Sequence, residues 1–176
     1  MALGTHGDGY MFVSVANGKM NYKEGGEKKH ADFFDGRLTG ISLIQDEFEG
    51  NVTQKIELTM EDGTQKAKIK FTLEAWYSVG FFARIPKINL AEPFRLGVFG
   101  SEENEKVSFC FMKQGGAKVE GKKDIPKPEN IQAGKKTVVD WTKFDEYAES
   151  VIAHVQAKLA HPQEPDVPAK PDDLPF

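Results

Sequence analysis

The chain has 176 residues, enough for one domain with a substantial core plus short extensions. Its 23 Lys and Arg against 27 Asp and Glu give a formal charge of −4, which argues against a nucleic-acid binder only if the charge is evenly spread. A single cysteine, Cys110, excludes an internal disulfide and a cysteine-based zinc site, and His6, His30, His154 and His161 show no metal-ligand spacing, so no cofactor is expected.

In chain order, the first eight residues are small and polar, with neither a basic start nor an apolar stretch, so no signal peptide is expected. No apolar run approaches the roughly 20 residues of a membrane span, and a reducing cytoplasm is the expected compartment. All 17 glycines fall between Gly4 and Gly134, where short apolar runs alternate with turn residues in the texture of an all-β domain. Strands are predicted over 10–15, 37–45, 53–60, 64–73, 94–99 and 107–113. Asp62-Gly63 marks a tight hairpin between the third and fourth, and the polar stretch 100–106 a hairpin loop between the fifth and sixth.

Strand 64–73 places Lys66, Lys68 and Lys70 on one face and Ala67, Ile69, Phe71 and Leu73 on the other. Three ammonium groups roughly 6 to 7 Å apart match the spacing of successive phosphates in a strand of nucleic acid. A solvated face, or an edge strand guarded by lysine, is the alternative. Next, Trp76, Val79, Gly80 and Ala83 recur at helical spacing before Pro86 and Pro93, predicting a short inserted helix. Tyr77, Phe81, Phe82, Arg84 and Lys87 lie in the same stretch, so 64–90 carries five bases against Glu74 alone. Basic side chains interleaved with aromatic ones suit a single strand, whose bases stack while its phosphates are neutralised. On that logic Lys66, Lys68, Lys70, Trp76, Tyr77, Arg84 and Lys87 are the candidate DNA-binding residues. By contrast 46–62 carries six acids to Lys55, which predicts a polarised body.

Residues 113–136 are rich in Gly, Pro and Lys and read as a mobile basic excursion. Within them Gly116 to Lys122 imitates a phosphate-binding loop, but Lys123 stands where Ser or Thr should hold magnesium and Pro126 where a helix should start. No Ser-His or Cys-His arrangement is visible, so an enzyme is not expected. A helix follows, with Thr142 and Asp145 as a capping box and Phe144, Tyr147, Ala148, Val151, Ile152, Val155 and Leu159 on one face. Pro162 stops it. Residues 162–176 hold five of the nine prolines and three of the four excess negative charges, predicting a disordered acidic tail.

The last five residues, Asp172, Asp173, Leu174, Pro175 and Phe176, form a compact ligand: an aromatic ring and Leu174 for an apolar pocket, carboxylates for its basic rim. This ending resembles the acidic tip of bacterial single-stranded DNA-binding proteins, with Leu174 in place of their usual Ile. The resemblance implies an OB-fold that binds single-stranded DNA, and a tip that recruits replication, recombination and repair proteins. The body matches the common bacterial branch only in layout, which points to a bacteriophage or divergent member acting in a bacterial cell or infected host.

The expected architecture is therefore an all-β, OB-fold-like barrel over 1–136 with an inserted short helix, a C-terminal packing helix over 137–161, and the acidic tail over 162–176. Partners would be single-stranded DNA, the proteins that read the tip and, as an option, further copies of the chain. The competing reading is a non-catalytic adaptor or phage assembly component with a C-terminal peptide ligand.

Overall fold

The structure, a computed structural model, describes residues 9–161; the acidic tail and the tip residues Asp172, Asp173, Leu174, Pro175 and Phe176 lie outside them. The six predicted strands are all present, as β1 (Tyr10–Ala16), β4 (Phe33–Phe48), β5 (Asn51–Asp62), β6 (Gln65–Thr72), β7 (Phe94–Gly100) and β8 (Ser108–Gln114). Five further strands carry no apolar run and were not foreseen: β2 (Lys19–Glu24), β3 (Glu27–Ala31), β9 (Ala117–Lys118), β10 (Glu129–Ala133) and β11 (Lys136–Asp140). The helices are α1 (Trp76–Arg84), extended by a 3-10 turn at Ile85–Lys87, and α2 (Thr142–Ala160).

Among the described residues β1 to β9 form one mixed sheet in the order β3-β2-β1-β6-β5-β4-β7-β8-β9, while β10 and β11 make a separate hairpin. Only the β1–β6 pair is parallel. Strand β4 serves both halves of the sheet. Its first residues, Phe33 to Gly36, pair with β7, and from Arg37 onward it pairs with β5, with the register slipping between Leu38 and Gly40. At the changeover a Cβ on Gly36 would lie 2.7 Å from the Glu61 carbonyl oxygen, so only glycine lets β4 pass there. No ladder joins β6 to β8, so the sheet is not closed into a barrel by strand pairing; the turn between β1 and β2 instead touches the end of β7, where a Cβ on Gly18 would lie 2.7 Å from Gly100 Cα.

Strand alternation sorts the side chains as expected. Ile56, Leu58 and Met60 of β5, Ala67, Ile69 and Phe71 of β6, and Leu96 and Val98 of β7 are buried. Helix α1 covers this face. Phe71 meets the rings of Tyr77 and Phe81 at 5.0 and 5.1 Å, and Phe81 meets Phe82 edge-on at 5.0 Å. Helix α2 adds Phe144, Ala148, Val151, Ile152 and Val155 to the same core, and its Gln156 amide donates to the Ile41 carbonyl at 2.8 Å. Truncating any one of the buried rings to Ala would cost about 3 to 5 kcal/mol.

Three local expectations are corrected. The hairpin between β5 and β6 turns on Gly63 and Thr64, one residue later than Asp62-Gly63, with Asp62 already paired to Gln65. Thr142 does not cap α2: Trp141 is the N-cap and Thr142 the first helical residue, while Asp140 accepts from the Thr142 amide at 3.0 Å and its hydroxyl at 2.7 Å, which holds the Asp140 carboxyl below its usual range. The stretch over 113–136 is not a free excursion. Ile125 is buried, the Lys122 amide donates to the Ala83 carbonyl at 2.9 Å, and β10 begins at Glu129, so position 136 falls inside a hairpin.

Candidate functional site

The lysine row forms as the alternation predicts. Lys66, Lys68 and Lys70 stand on the outer face of β6, opposite to Ala67, Ile69 and Phe71. Strand β6 is interior to the sheet, so these lysines guard no edge. Their neighbours are Tyr10 and Phe12 of β1 on one side and the acids of β5 and β4 on the other. Lys66 approaches Glu61 at 4.0 Å, Lys68 approaches Glu57 at 3.9 Å and Lys70 approaches Asp46 at 3.7 Å. The acidic stretch over 46–62 is thus laid beside the basic strand, and the expected polarisation of the body is largely cancelled within one face. Long, partly exposed pairs of this kind are each worth about 0 to 1 kcal/mol. The Lys68 ammonium also lies 5.0 Å from the Tyr10 ring centroid, and Phe12 beside it is 57% exposed.

The structure does not bring the other predicted contacts to this row, because α1 packs on the opposite, buried side of β6. Tyr77 is corrected outright: it is 2% exposed, its hydroxyl donates to the Gly97 carbonyl at 3.3 Å, and burial raises its phenol well above the usual range. Arg84 folds back on its own helix, donating to the Gly80 carbonyl at 3.0 Å. Trp76 remains exposed at the start of α1, but its ring is turned edge-on to Trp141 at 6.4 Å. Lys87 is exposed on the 3-10 turn that follows α1. Next to Trp76 and Trp141 the carboxyls of Asp145 and Glu74 share a hydrogen bond. Burial, then Glu74, pushes Asp145 up to about 7.

A second constellation on the outer face went unpredicted. Strand β7 points Arg95, Gly97 and Phe99 outward, β8 points Phe109, Phe111 and Lys113 outward, and β4 adds Phe33 and Asp35. Phe99 stacks on Phe109 with centroids 5.4 Å apart and an interplanar angle of 29°, and Phe111 follows at 6.4 Å. Phe111 lies across Gly97, where a Cβ would come within 2.1 Å of its ring, so the glycine makes the space that lets the aromatic row lie flat. The Arg95 guanidinium sits 3.7 Å from the Phe33 centroid and is held by Asp35 through bonds of 2.8 and 2.9 Å. Phe33 and Phe99 are 42% and 51% exposed. The signal was available in the sequence: in 94–99 and 107–113 aromatic or basic residues occupy the face that alternation leaves to solvent.

Among the described residues no cluster of three or more His, Cys, Asp or Glu could hold a metal, and no helix is long and apolar enough to cross a membrane. Cys110 is buried, and that burial pushes its thiol up to about 12, so it carries no thiolate at neutral pH. No protein-family model, curated protein or solved structure matches the chain.

Proposed function

We propose that the chain is a single-stranded DNA-binding protein that holds DNA on the outer face of its sheet without a sequence requirement. In this reading it protects DNA in replication, recombination and repair, in a bacterial cell or phage-infected host. Residues 172–176 would recruit partner proteins. The observation that carries the reading is the aromatic row of Phe33, Phe99, Phe109 and Phe111 with Arg95 upon it. Stacked rings left open to water on a sheet otherwise sorted cleanly into inside and outside are what base stacking needs, and they cost the apoprotein exposed apolar surface.

Topology supports the same reading. The order β6-β5-β4-β7-β8, with α1 inserted between β6 and β7 and one long strand shared by both halves, would suit an OB-fold whose last seam is open. In that frame β6, which carries the lysine row, and β5 beside it would correspond to the strands whose outer face holds oligonucleotides in OB-folds. Phe48, 74% exposed at the β4–β5 turn, would reach the same ligand from a loop. The test is titration of a dye-labelled oligo-dT and its duplex at several salt concentrations. Tight binding of the single strand that weakens with salt is expected, and preference for the duplex would overturn the reading.

One observation favours an adaptor instead. The β10–β11 hairpin leaves Ile131, Val138 and Val139 exposed, and an isolated two-stranded hairpin is only marginally stable in water, so a protein partner there is the second reading. Absence of any oligonucleotide binding at low salt would favour it.

A further inference from the structure

A cleft of about 190 Å³ opens between the β1–β2–β3 wing and the start of β4. Met11, Val13, Met20 and Phe34 are its buried apolar wall, and Tyr22, Glu24, Phe33 and Gln65 complete it where it meets solvent. The volume lies below the roughly 300 to 1,000 Å³ of sites for drug-sized molecules, and suits one planar heterocycle. Phe33 belongs both to this lining and to the aromatic row, so the cleft adjoins the proposed path of the strand.

One side chain is out of place for a plain apolar groove. The Glu24 side chain is only 11% exposed, and its charge is met by Lys29, whose ammonium lies 3.5 Å from Oε2. The long Lys29 contact leaves the carboxylate with lone pairs able to accept further donors at the mouth of the cleft. The pair presents two carboxylate acceptors beside a cationic donor. The Watson–Crick edge of guanine presents the complement: N1–H and the N2 amino group as adjacent donors, then O6 as an acceptor. Adenine and cytosine set a ring-nitrogen acceptor beside their single amino donor, and thymine flanks its one donor with two carbonyls, which the carboxylate repels.

We propose that the cleft takes one guanine out of a bound single strand, with Glu24 accepting from N1–H and the N2 amino group, Lys29 donating to O6, and the base held between Phe33 and Tyr22. The proposal rests on the single-strand reading and adds to it a preference for one base at one register. The experiment compares anisotropy titrations of a labelled dT oligomer with the same oligomer carrying one central dG or one central deoxyinosine, which lacks the N2 amino group. The dG oligomer is expected to bind about fivefold or more tightly than all-dT, with deoxyinosine between them. In Glu24→Gln, which removes one acceptor, the ratio of dG to dT affinity should fall. Equal affinity of the wild type for the dG and all-dT oligomers would overturn the cleft and leave the single-strand reading standing; no binding of any oligomer would overturn the reading itself. The deoxyinosine comparison needs no variant, so it decides even if Glu24→Gln folds poorly.

Discussion

Single side chains divide into those whose role is set by neighbours in sequence and those set by neighbours in space. Phe99 is of the second kind, since its stacking on Phe109 depends on β7–β8 register. Because it is half exposed, Phe99→Ala is expected to weaken oligo-dT binding by roughly 5- to 150-fold, one stacked base being worth about 1 to 3 kcal/mol. Its melting temperature should change little, and a thermal melt beside the binding titration checks both. Asp145 gives a different measurement. With a value of about 7 in the folded chain against roughly 4 when unfolded, it takes up a proton on folding at pH values between the two. Its contribution is therefore fully present below about pH 4 and is lost as the pH rises to about 7. Melting temperatures followed from pH 5 to 8 should fall in the wild type and stay flatter in Asp145→Asn, which keeps a hydrogen bond to Glu74 without the charge. Equal slopes would show that the Glu74–Asp145 contact does not titrate.

The elements legible in sequence were those whose apolar period is strong: the strands β1, β4, β5, β6, β7 and β8, and the helical faces of α1 and α2. The hairpin of β2 and β3 was not, because Lys19 to Ala31 is mostly charged and polar. Its signals were in the turns: Asn17-Gly18 and Gly25-Gly26 all take positive φ, as two-residue hairpin loops require. The parallel β1–β6 pair carries no local mark at all, since it joins strands separated by more than forty residues. The candidate residues are not brought to one surface, for a related reason. Charge and aromatic counts along 64–90 pooled residues from a strand face and a helix that the fold sets on opposite sides of β6, so Tyr77 was counted with Lys68 although they never meet. The aromatic row was spread over three strands and needed the register to assemble. Gly97 tests that assembly: Gly97→Ala should push the Phe111 ring off the sheet and weaken single-strand binding, seen as a lower affinity in a variant whose circular dichroism is unchanged.

For the molecule as a whole, the formal charge of −4 hides two separate cancellations. Within the sheet, Glu57, Glu61 and Asp46 sit beside the lysines that a phosphate backbone would seek. Beyond the described residues, the acidic stretch over 162–176 supplies a competing polyanion in the same chain. Removing that stretch is expected to tighten oligo-dT binding at low salt, to lose the effect at high salt, and to abolish capture of partner proteins. Unchanged affinity at low salt would exclude the competition. The contact of Gly18 with Gly100 bears on how the molecule assembles in time. The first two strands are expected to settle late, because the Gly18–Gly100 contact closes a longer loop than any ladder of the sheet. Val13→Ala, in the buried face of β1, should therefore steepen the loss of native protein by raising the unfolding rate while the refolding rate barely moves, as read from stopped-flow chevrons. The guanine cleft, walled by β1 and β2, would then be the last part of the surface to come into being and the first to open.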